Sequence, residues 1–189
     1  MKLVKILAIA ALLVAGAAQA QSKGYASVEY YDEHNRVTDK DNIKGAIVAG
    51  FKTQDNWDYS AKLESSQAEL GNGSISTGAE ARIRKSFPNA LGSLSPWFGI
   101  RLGQSIKSTE HFGYYAAEGG VKFPLVGALS GDIGYRYKDA FNKDGQQTDR
   151  VYALISYAVT KQDSVGIRFT RSYGDEEKDA WRLNYTRSF

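Results

Sequence analysis

The chain has 189 residues, with 24 lysines and arginines against 21 aspartates and glutamates, and no cysteine. That length suits one domain, and the lack of cysteine excludes a disulfide scaffold, a thiolate metal site and a cysteine nucleophile. Without Lys2 and Lys5 of the amino-terminal segment the charge is almost balanced, so bulk electrostatics predict no nucleic-acid partner.

Residues 1–20 read as a cleaved signal peptide. Lys2 and Lys5 precede an apolar run from Ile6 to Ala18, and Ala18-Gln19-Ala20 is the small-x-small pattern of a processing site. A membrane helix needs roughly 20 apolar residues, more than this run supplies. The expected mature chain is a single domain over 21–189 that leaves the cytoplasm. No other stretch can cross a bilayer as a helix, so any crossing must use strands.

Ten alternating segments follow, at about 24–32, 43–52, 57–66, 74–87, 96–106, 113–123, 129–138, 148–159, 164–172 and 179–189. Successive strand residues point to opposite faces, so each segment offers one apolar and one polar face. The lengths suit tilted membrane strands, and an even count closes an antiparallel barrel with both termini at one end. The expected fold is therefore all-β, a transmembrane up-and-down barrel of about ten strands, with eight or twelve as the alternatives. With the termini in the periplasm, the outer connections at 33–42, 67–73, 139–147 and 173–178 are read as mostly longer than the turns at 53–56, 124–128 and 160–163. The connections at 88–95 and 107–112 fit this rule poorly. Asn72-Gly73 and Asp144-Gly145 read as tight-turn signals at loop tips.

The final strand carries the clearest signal. Trp181, Leu183, Tyr185 and Phe189 share one face, and Arg182, Asn184, Thr186 and Ser188 the other. An aromatic carboxyl-terminal strand of this kind resembles the assembly signal of outer-membrane barrels. It implies the barrel-assembly machinery as a partner, and lipid and lipopolysaccharide as surroundings.

Function must be sought on the polar face. There the same alternation places Arg82, Arg84, Arg101, Lys122, Arg136, Arg150, Arg168 and Arg182 together with Glu80, Glu118 and Asp132. Basic groups outnumber acids about two to one across this face, so the lumen is expected to be electropositive. Two readings follow. Arginine–carboxylate pairs can fill a narrow barrel as a structural plug, or the basic surplus can line a slim passage that favours anions.

The segment from Tyr25 through Asp41, the stretch Ile133-Gly-Tyr-Arg-Tyr-Lys and the dipeptide Asp149-Arg150 resemble the oligogalacturonate-specific porin family. The resemblance implies a monomeric outer-membrane barrel with an arginine-lined pore, passive uptake of acidic sugars or similar small anions, and Arg82, Arg84, Arg101, Arg136, Arg150 and Arg168 as lining. That family resembles a twelve-stranded barrel, whereas this chain has room for about ten. The runner-up is a non-conducting barrel serving envelope integrity or surface contact through its loops.

An enzyme is not expected. His34 and His111, the two histidines, fall near outer strand ends beside Asp32 and Glu110, but no rim-catalyst pattern accompanies them. Asp175, Glu176, Glu177 and Asp179 form an acidic run on the last loop that reads as a solvated charge cluster, not a calcium site. No cofactor or metal is expected.

Overall fold

A computed structural model describes residues 23–68, 75–106, 111–141 and 144–189. The signal segment, Gln21, Asn72-Gly73 and Glu110 lie outside the described residues. Ten strands follow one another: β1 (Lys23–Asn35), β2 (Lys40–Lys52), β3 (Trp57–Ala68), β4 (Ile75–Ser86) and β5 (Ser95–Ile106), then β6 (His111–Pro124), β7 (Leu129–Ala140), β8 (Thr148–Ala158), β9 (Asp163–Gly174) and β10 (Lys178–Ser188). Each pairs antiparallel with its sequence neighbour, and β10 returns to β1, with Tyr25 opposite Ser188 and Asn35 opposite Lys178. Closure leaves no free edge, as a bilayer demands of strands.

The pairing register fixes the shape. Followed once round the wall from Lys23, it arrives on β1 at Asn35, twelve residues further along. With 3.3 Å per residue and 4.8 Å between strands, this stagger tilts the strands by about 40° around a backbone cylinder about 20 Å across.

Burial is inverted relative to a water-soluble domain. Outward-facing Val28, Ile47, Ile100 and Leu183 are 60%, 64%, 55% and 54% exposed, while inward-facing Glu29, Glu80, Glu118 and Asp132 are 6–8% exposed. An apolar outer wall around a charged interior is stable only with hydrocarbon outside, so the barrel spans a membrane. Aromatic pairs mark the borders of the apolar band, Phe51 with Tyr59 towards the end that carries the termini and Tyr115 with Tyr137 towards the opposite, far end. Trp181, Leu183 and Tyr185 face outward from β10, and Phe189, just past its end, is exposed as well.

The strands extend further at the far end than alternation foretells. Glu33 belongs to β1 and Asn42 to β2, so the connection between them shrinks to residues 36–39. The far-end connections at 36–39, 141–147 and 175–177 are therefore no longer as a class than the near-end turns at 53–56, 87–94, 125–128 and 159–162. The expected length asymmetry fails, and the turn at 87–94 is longer than any connection at the far end. That turn is braced by a bridge between Leu91 and Leu94, with Asn89 and Gly92 at positive φ.

Candidate functional site: the charged lumen

One cavity of about 1140 Å³ runs through the barrel, bordered by Lys23, Asn56 and Ser188 at the near end and by Thr38, Lys40 and Glu176 at the far end. At roughly 30 Å³ per molecule this is room for tens of waters. Its described lining holds sixteen lysines and arginines against nine aspartates and glutamates. All eleven polar residues singled out from the sequence border it: Arg82, Arg84, Arg101, Lys122, Arg136, Arg150, Arg168, Arg182, Glu80, Glu118 and Asp132. Tyr152 and Leu154 also face inward, as the alternation of β8 requires.

The centre of the lumen is a dense network. Arg101 lies between two carboxylates, donating to Glu80 Oε1 and to Glu118 Oε2, the latter from Nη2 at 2.6 Å. Glu80 also accepts from the Tyr114 hydroxyl at 3.1 Å and faces Arg136 at 3.7 Å. On one side Arg182 donates to Glu29 at 2.7 Å, and the second Glu29 oxygen accepts from the Tyr31 hydroxyl. On β3 Lys62 donates to Glu64 at 2.7 Å. Towards the near end Asp58 accepts from the Tyr25 hydroxyl at 2.8 Å and from Arg82 at 3.3 Å, and Asp132 accepts from the Trp97 indole at 3.1 Å with Arg84 3.7 Å away. Among these, Tyr114 and Arg136 to Glu80, Tyr25 to Asp58, and Trp97 and Arg84 to Asp132 tie non-adjacent strands across the interior, which backbone ladders cannot do.

Aromatic rings complete the wall. Tyr25 lies opposite Gly50, Trp97 opposite Gly120, Tyr114 opposite Gly103 and Tyr152 opposite Gly134 across neighbouring strands. A Cβ on any of these glycines would run into the ring it faces. Each ring therefore lies against the bare backbone of its neighbour. Trp97 stacks with Tyr152 at 6.4 Å, Arg84 lies over Trp97 at 4.1 Å, and Arg168 lies over Tyr152 at 4.0 Å.

The far mouth holds a group that the sequence reading assigned to solvent. Glu176, from the connection 175–177, turns into the lumen and accepts from Arg150 at 2.9 Å, with Lys138 and Lys178 each 3.7 Å away. Burial pushes its carboxyl up, but Lys138, Lys178 and Arg150 outweigh that and hold it well below the usual carboxylate range. Beside it Lys44 meets Glu33 at 2.9 Å. The rest of the acidic run disperses: Asp175 accepts from the Gln147 amide at 2.8 Å, Glu177 faces Arg36 at 3.7 Å, and Asp179 takes a bidentate pair from Arg171 at 2.8 Å. The four do not converge, so the cluster is neither a free solvated run nor a cation cage. Its one sequence-level clue was an excess of basic residues at the neighbouring strand ends, Lys44, Lys138, Arg150 and Lys178.

His34 sits on the outward face near the far rim, where Asp41 lies 2.8 Å from its ring nitrogen and Asp39 3.6 Å. His111 begins β6 and is exposed. Neither histidine itself borders the lumen cavity, although Asp41, the partner of His34, reaches its far rim.

No protein-family profile matches the sequence, and no curated protein sequence matches it. Solved structures do match in fold. An outer-membrane channel from Pseudomonas putida F1 aligns over 89% of this chain and 95% of its own, with a TM-score of 0.56 and 9% identity. The NanC porin aligns over 86% of this chain and all of its own, with a TM-score of 0.52 and 9% identity. The KdgM porin, solved also with oligogalacturonate, is among the matches at a TM-score of 0.48 and 11% identity. At these identities the likeness establishes the barrel fold alone. The chain has the fold of outer-membrane β-barrels, built here from ten strands.

Proposed function

We propose that this protein is exported by its signal segment and inserts in the outer membrane as a monomer. There it acts as a narrow passive channel that favours small anionic solutes, acidic sugars among them, with the far end facing outward. The observation that carries this reading is the lining of the lumen, sixteen basic side chains against nine acidic ones along one cavity that reaches both ends. A passage with that surplus attracts anions and repels cations, because the low-dielectric wall focuses the field along the bore. Arg136, Arg168 and Arg182 supply the surplus near the centre, Arg150 supplies it at the far mouth, and Arg84, Lys52 and Lys122 supply it near the terminal end. The terminal face formed by Trp181, Leu183, Tyr185 and Phe189 serves as the segment read by the barrel-assembly machinery.

A specific observation favours a second reading, a non-conducting barrel of structural or surface-contact role. Arg101, bracketed by Glu80 and Glu118, crosslinks the middle of the lumen. Single-channel recording of the refolded mature protein under a salt gradient separates the two. Small steps whose reversal potential reports anion preference, weakened in Arg150→Ala, support the channel. A silent bilayer with correctly folded protein supports the plug.

A further inference from the structure

Three times around the lumen an arginine stands directly across the ladder from another arginine: Arg82 from Arg101, Arg136 from Arg150, and Arg168 from Arg182. Like charges directly opposite one another repel, so each pair needs counter-charge close by. The first two pairs have it. Arg82 meets Asp58, Arg101 meets Glu80 and Glu118, Arg136 faces Glu80, and Arg150 holds Glu176.

The third pair is one carboxylate short. Glu29 gives one oxygen to Arg182 and the other to Tyr31, and neither oxygen pairs directly with Arg168. Among the described residues Arg168 is the lumen arginine with no carboxylate at ion-pair distance, and its guanidinium lies over the face of Tyr152. The Nε atoms of both Arg168 and Arg182 are buried without a hydrogen-bond partner. Directly across the ladder on its other side Arg168 faces Leu154, an apolar residue that supplies no charge.

We propose that Arg168 and Arg182 form a binding site for a single small anion of halide or carboxylate size, which supplies the counter-charge that the chain omits. Tyr152, backed by Trp97, holds the Arg168 guanidinium in place, so the site is preorganised. This deepens the channel reading by assigning the solute's charged group a resting point in the middle of the bore.

The test is a bromide soak of crystals of the mature protein, read by anomalous scattering. A bromide peak at Arg168 and Arg182 is expected in the wild type. It should vanish in Leu154→Glu, where a built-in carboxylate opposite Arg168 replaces the ion. In parallel, the melting midpoint of the wild type should rise with sodium bromide at constant ionic strength, and that of Leu154→Glu should not. No peak at Arg168, peaks only at other lumen cations such as Lys52 or Lys122, or an undiminished peak in Leu154→Glu would each overturn the proposal. Failure of the channel reading looks different: a silent bilayer with bromide bound at Arg168 would remove the channel and leave the site.

Discussion

The waist of the lumen and its far mouth solve the same problem by different means. At the waist every carboxylate that meets an arginine, Glu29, Glu80 and Glu118, stands on a strand whose register is locked by neighbours on both sides. At the mouth the carboxylate that meets Arg150 stands on a three-residue connection, 175–177, and reaches inward from it. A strand-borne charge cannot leave without unzipping the wall, whereas Glu176 can swing out at the cost of its ion pairs alone. The waist is therefore framework, and the mouth is the part able to open.

Breaking the waist should have the largest effect. Arg101→Met leaves Glu80 and Glu118 with their nearest cation removed, and the folded barrel should lose about 3–5 kcal/mol, read as a fall in urea midpoint in detergent micelles. At the mouth, Arg150→Ala removes only the closest of three cations around Glu176, so a smaller loss of about 1–3 kcal/mol is expected, with reduced anion preference in the same bilayer recording. Glu176→Gln should cost a similar amount, about 1–3 kcal/mol, the range of a charge-assisted bond, while unitary anion conductance rises because the mouth gains uncompensated positive charge. A fall in conductance in Glu176→Gln would reverse the assignment of framework and gate. The finest test is pH. Since the folded-state value of Glu176 is depressed, its contribution is complete above the ordinary carboxylate value of about 4.3 and is lost as pH falls through the lowered value. The melting difference between wild type and Glu176→Gln should hold steady from neutral pH to about 5 and close in stronger acid.

The same contrast explains what could be read from the sequence. Within the apolar band one face must be greasy and the other polar, so period-two alternation placed Arg82, Arg101, Glu118, Arg136 and Arg168 on the lumen side. At the far end the wall rises beyond the hydrocarbon. Asp32 and His34 can then face outward as comfortably as Glu33 and Asn42 face inward, and the alternation disappears while the ladder continues. Strand ends there were read as loop for that reason. Glu176 was illegible for a different one, since nothing local says that a loop carboxylate will fold back towards Arg150, Lys138 and Lys178, which join the same mouth only once the barrel is closed. The Arg–Arg oppositions were hidden too, because they depend on register between strands and not on the pattern within any one.

The four inward rings that lie over Gly50, Gly103, Gly120 and Gly134 have a consequence for width. A tyrosine or tryptophan standing upright from the wall would reach well into a cylinder of this size, and four of them would close it. Each glycine is a recess into which one ring is countersunk, so the usable diameter is governed by positions that carry no side chain at all. Even an alanine in one recess would lever its ring towards the axis, and the barrel would narrow without losing or gaining a single charge.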